Sequence, residues 1–106
     1  MDKTSQLVRI INRIHNLEDK LRKEEMLSKV TRQMSKIWEE MTSLNLIVEN
    51  PLGEQYDITR SDCEASIAGN ETSNMVIVDV IKPVVYLKNN GNNELVQRGV
   101  IIVESK

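Results

Sequence analysis

Few side chains in this 106-residue chain could make or break bonds: it has one His, one Cys and an acid cluster. His15 lies in a stretch without glycine or proline, away from any acid partner, and reads as a solvated imidazole on a helix surface. Cys63 alternates with polar neighbours at an inward strand position, where a buried structural thiol outweighs a nucleophile. Glu54, Asp57, Asp62 and Glu64 gather within a short span. Paired carboxylates can hold a cation or serve as acid and base, so a metal-dependent hydrolase is a third, weak reading, but such clusters are usually solvated loops. The glycines are isolated and make no phosphate cradle. The sequence therefore predicts no enzyme, no catalytic residue, no metal site and no cofactor.

Charge and composition narrow the partners. The formal net charge of -2 argues against nucleic acid, whose binders carry a basic excess. Arg9 and Arg13 are too sparse for the basic block of a DNA-binding zipper. No run approaches the roughly 18 apolar residues of a membrane span, and no signal-peptide pattern opens the chain. Asn70-Glu71-Thr72 reads as a turn rather than a glycosylation acceptor. A soluble, cytoplasmic protein is expected, with no membrane partner. A single cysteine excludes an intrachain disulfide and fits a reducing compartment. Aromatic residues are scarce (no Phe, one Trp, two Tyr), so a core filled by rings is not available.

The elements that must carry this composition fall into two regions, a helical one over 1–48 and a small β-domain over 49–106. Every glycine and proline lies at or after Pro51. The stretch before it predicts a helix from about Thr4 to Leu44, roughly 60 Å long at 1.5 Å per residue. Its apolar stripe runs Leu7, Ile10, Ile14, Leu17, Leu21, then Leu27, Val30, Met34, Ile37, Met41 and Leu44, in steps of three and four. Between Leu21 and Leu27 the phase slips, which means either local overwinding or a break. A continuous or gently broken helix is favoured over a helical hairpin, because Arg22 to Glu25 holds no turn residue. Such a helix would overhang a small domain, so its stripe is assigned to a homodimer interface. Trp38 sits just off that stripe, as a bundle anchor or an interface residue. The methionines are read as seam filler.

Beyond Gly53 the period changes to two. Cys63 to Ile67, Met75 to Ile81, Val84 to Leu87 and Leu95 to Val103 predict a small antiparallel sheet or open barrel of about four strands. Asn90-Gly91 is a hairpin signal. The fold class is α+β, a long N-terminal helix followed by a small antiparallel β-domain.

This order resembles the GrpE family, nucleotide exchange factors of DnaK-type chaperones. The family hinge, approximately D-P-x-G-E-x-F-D, is similar to Asn50 to Asp57, with Pro51, Gly53, Glu54 and Asp57 kept and Tyr56 in place of Phe. Cys63-Glu64-Ala65-Ser66 resembles the H-E-A-V segment. Val76 to Leu87 resembles the V-V-x-V-x-x-x-G-Y-x-L hairpin, keeping Val76, Val80 and Tyr86. Glu94 to Val103 resembles the closing strand. Val85 stands for the family's glycine, Glu94 and Gln97 stand where two arginines align, and Arg98 is displaced by one. The resemblance implies a helix-linked homodimer whose β-domain opens the nucleotide-binding domain of a DnaK-type chaperone in protein folding and the stress response. The implied contact residues are Tyr86, Asn90, Gly91 and Arg98. The alternative is a coiled-coil scaffold or adaptor whose β-domain binds a different protein.

Overall fold

A computed structural model describes residues 3–106 and shows an α+β fold. Helix α1 spans Lys3–Lys23 and α2 spans Thr31–Ser43, with a 3-10 turn at Leu27–Lys29 between them. Six strands follow: β1 Leu46–Glu49, β2 Cys63–Ala68, β3 Met75–Lys82, β4 Val84–Asn89, β5 Asn92–Gln97 and β6 Gly99–Ser105.

The choice left open between a continuous and a broken helix resolves to two helices. Glu25 takes a left-handed conformation (φ 59°). Its N–H donates to Arg22 O, and the N–H of Met26 reaches back to Leu21 O at 2.8 Å. That pair of bonds is a Schellman ending, normally built on glycine. Here a glutamate does it, so the usual sign of a helix end is missing from the sequence. The phase slip after Leu21 was the break itself. Asn45 (φ 66°) ends the second helix in a left-handed turn. The principal extents are 40 × 35 × 24 Å, with no room for an overhanging 60 Å rod.

The strand count is likewise six rather than four, in two three-stranded sheets ordered β1-β4-β5 and β2-β6-β3. Both are built on one long hairpin. Its tip is Asn90-Gly91, with φ of 52° and 82°, the two positive values that a hairpin turn needs. Near the tip β4 pairs with β5, and farther back β3 pairs with β6, all antiparallel. At Pro83 and Arg98 the two arms bend from one sheet into the other. Proline has no N–H to give the ladder, so pairing is weakest there. The side chain of Gln97 compensates, donating to Pro83 O at 2.9 Å. Gly99 is required at the bend: a Cβ there would stand 2.9 Å from Val84 Cγ2 and 3.0 Å from Cys63 Sγ. β1 joins β4 antiparallel, whereas β2 joins β6 in parallel. The parallel pair departs from the expected all-antiparallel sheet.

Alternation along β4 explains the layering. Val84 and Tyr86 face a core with Cys63, Ile77, Val80, Ile101 and Val103, between the sheets. Val85 and Leu87 face the other way, onto Ile11, Met41, Leu46 and Trp38. The helices thus lie on the first sheet and share its core, and the boundary expected at 48/49 runs through β1. The buried side chains of both cores are aliphatic or sulfur-bearing, and the partly buried Tyr56, Tyr86 and Trp38 pack against them.

Candidate partner-binding surface

The four residues implied as partner contacts are not brought together. Asn90 and Gly91 are exposed at the hairpin tip. Tyr86 sits in the middle of β4, half-buried against the inter-sheet core, where burial pushes its hydroxyl pKa up. Arg98 lies at the far end of β5 from the tip, about 20 Å away at 3.4 Å per residue over Asn92–Gln97. Its guanidinium is engaged within the chain: Nε donates to Ser61 O (3.2 Å), Nη2 to Cys63 O (2.8 Å) and Nη1 to Glu64 Oε1 (3.1 Å). Arg98 is therefore a clamp that ties β2 to the hairpin bend.

The stripe assigned to a dimer interface divides. Met34 and Met41 are buried within the chain. Leu7, Ile14, Leu21, Leu27, Val30 and Ile37 are half-buried. Ile10 and Leu17, two turns apart on α1, remain 41% and 54% exposed. The face of α1 that does enter the core is rotated from the expected one and carries Ile11 and His15.

His15 corrects a further expectation. It is 2% exposed rather than solvated, and its Nε2 donates to Val80 O at 2.7 Å. One turn earlier on the same face, Asn12 and Gln97 exchange amide hydrogen bonds of 2.9 and 2.8 Å. These two polar contacts fix the rotation of α1 against the hairpin. Sequence alone offered a signal for His15 only, which lies about one helical turn after Ile11 on the same side of α1, whereas Asn12 is the very next residue round the helix.

The acids after the hinge are organised by Arg60, which pairs with Glu54 at 3.0 Å and Asp62 at 2.7 Å. The Arg60 bond holds the Asp62 carboxyl below its ordinary range. Asp57 is likewise held low by the N–H and hydroxyl of Thr59. Both acids thus act as acceptors within their own loop. Burial pushes the Cys63 thiol pKa up, in line with a structural cysteine. Among the described residues, no three His, Cys, Asp or Glu side chains converge as a metal site. Nor is any described helix long and apolar enough to cross a membrane.

The hinge segment forms a strap along the outer edge of β3. Gly53 N–H donates to Ile77 O (2.9 Å), Ile77 N–H to Glu54 O (2.9 Å) and Tyr56 N–H to Met75 O (2.8 Å). Leu52 and Tyr56 anchor it in the inter-sheet core. Past the strap, a groove of about 590 Å³ is lined by Tyr56, Ile58, Met75 and the β2 residues Ala65 and Ile67, together with the polar Gln55, Asp57, Thr72 and Asn74. Ile58 is 83% exposed and Ile67 45%. This is a mixed surface with exposed isoleucines that no sequence motif pointed to, since Ile58 and Ile67 gain their proximity only through the turn at Asp57–Arg60. Comparison of the chain with family models, with curated proteins and with solved structures returns no match.

Proposed function

We propose that the chain is a GrpE-like co-chaperone, a nucleotide exchange factor that promotes ADP release from a DnaK-type chaperone. The carrying observation is that residues behind the resemblance have connected roles in one unit. Gly53, Glu54 and Tyr56 form the strap on β3, Val80 and Tyr86 join the core beneath it, and Asn90-Gly91 projects from the same hairpin. A rigid β-domain with a projecting tip suits an exchange mechanism without bond chemistry. Binding an open form of the chaperone's nucleotide domain better than its closed form shifts the population toward opening, and ADP leaves.

Within this reading the hairpin tip is the first contact, because Asn90 and Gly91 are exposed whereas Arg98 is committed to Ser61, Cys63 and Glu64. A homodimer forms through Ile10 and Leu17 of α1 rather than through a seam running the length of both helices. The test is the release of a fluorescent ADP analogue from the host DnaK-type chaperone. Addition of the chain should accelerate it, and an unchanged rate rejects exchange activity. The alternative, an adaptor for a different protein, is favoured by stable binding to another partner without effect on that rate.

A further inference from the structure

The β2-β6-β3 sheet has unequal edges. The Gly53–Tyr56 strap occupies the outer side of β3. β2 has β6 on one side and no strand on the other among the described residues. Its phase follows from the bond between Gly99 N–H and Asp62 O (2.9 Å) together with the parallel register from Cys63↔Gly99 to Ala68↔Glu104. Alternate residues of a strand turn both backbone groups to the same side. Asp62, Glu64, Ser66 and Ala68 therefore face β6, while Cys63, Ala65 and Ile67 turn theirs to the open side. The Arg98 clamp takes Cys63 O. The amide and carbonyl groups of Ala65 and Ile67 are left as an open hydrogen-bonding edge.

Edges of this kind are normally blunted by proline, lysine or a covering loop. Here the open residues, Ala65 and Ile67, are small or apolar, and they form one wall of the 590 Å³ groove completed by Tyr56, Ile58 and Met75. A strand laid along β2 would place alternate side chains into that groove. Its remaining side chains would lie on the opposite face, beside Glu64. Charge selects the occupant. From Glu54 to Glu71 the chain carries five acids (Glu54, Asp57, Asp62, Glu64, Glu71), and two bases answer them, Arg60 on Glu54 and Asp62 and Arg98 on Glu64, so the region keeps an acidic excess. A second copy of β2 would bring two such acidic edges together, and like charges across paired strands are destabilising.

We infer that the β2 edge and its groove bind an extended peptide segment of a partner by strand addition, with apolar residues at alternate positions and basic residues between them. This site is separate from the hairpin tip and does not depend on exchange activity. The probe is a terminally blocked hexapeptide alternating Lys and Val, titrated into the full-length isotope-labelled chain and followed by amide NMR. The expected result is shifted signals along β2 and slowed hydrogen exchange at the amides of Ala65 and Ile67. The same peptide N-methylated on alternate amides should bind at least tenfold more weakly, because it keeps its side chains and charge but loses its donors. A Glu/Val counterpart should also lose at least tenfold. Absence of change along β2, or equal binding of the N-methylated peptide, overturns the proposal. Protection of Ala65 and Ile67 that grows with protein concentration in the absence of peptide overturns it in favour of a second copy.

Discussion

Asn12 of α1 and Gln97 of β5 exchange two amide hydrogen bonds across 85 positions of sequence, and Gln97 also holds the carbonyl of Pro83. One side chain thus joins the helix layer to the bend at which the hairpin passes between sheets. Gln97→Ala leaves half-buried groups of Asn12 and Pro83 short of partners, which costs about 1–3 kcal/mol in urea unfolding. In a double-mutant cycle with Asn12→Ala the two effects should couple by at least about 0.5 kcal/mol. Strict additivity would show that the pair holds nothing in place.

Gly99→Ala is expected to destabilise by about 1–3 kcal/mol through overpacking. The added methyl meets Val84 Cγ2 and Cys63 Sγ inside the core. Cys63→Ala in the same chain removes one of the two obstacles, so the double variant should lose less than the sum of the singles. Thermal or urea melts of the set decide the matter.

Glu25→Gly should stabilise the chain by about 0.5–1 kcal/mol, since glycine adopts the left-handed helix ending without a Cβ conflict. The φ of 59° at Glu25 is the basis for this expectation. A loss of stability on substitution would mean that α1 does not end there in solution.

The Arg60–Asp62 contact sets an acid limb. The folded carboxyl of Asp62 is held below its unfolded value, chiefly by the hydrogen bond from Arg60. Its contribution is then fully present above about pH 4 and is lost as pH falls through the lower folded value. Asp62→Asn should flatten the fall in stability on the acid side of about pH 4 while changing the slope near neutrality little. An unchanged acid limb would remove this pair from the explanation.

Leu17→Glu tests the proposed dimer. Leu17 is more than half exposed on α1, so a charge there leaves the monomer core intact. Light scattering at micromolar concentration should show a dimer for the parent chain and a monomer for the variant. A monomeric parent would overturn the dimer.

Asn90-Gly91 gave the hairpin tip, because a turn with two positive φ angles admits few residues. Val76 to Leu87, expected as a hairpin, is instead one arm that bends at Pro83, since β3 and β4 pair with other strands and not with each other. Cys63 as a buried thiol was equally legible from its alternation with polar neighbours. The extent of the helix was not. The phase slip after Leu21 left a break open, but the end itself is made by Glu25, a residue type that carries no stop signal. His15 was misjudged for a related reason. Its partner is the carbonyl of Val80, 65 positions away, and no local pattern records a backbone acceptor.

Sequence by itself determined the order of helix and strand, the tip of the hairpin and the aliphatic character of both cores, since periodicity and turn chemistry act over a few residues. Tertiary structure decided which face of α1 is buried, that the hairpin bends at Pro83 and Arg98 to serve two sheets, and that Arg98 clamps β2. It also decided that the backbone of Ala65 and Ile67 is left open beside a groove that holds exposed isoleucines. Each of these depends on contacts between distant segments, where the choice is made by packing volume and by the need of every buried polar group for a partner.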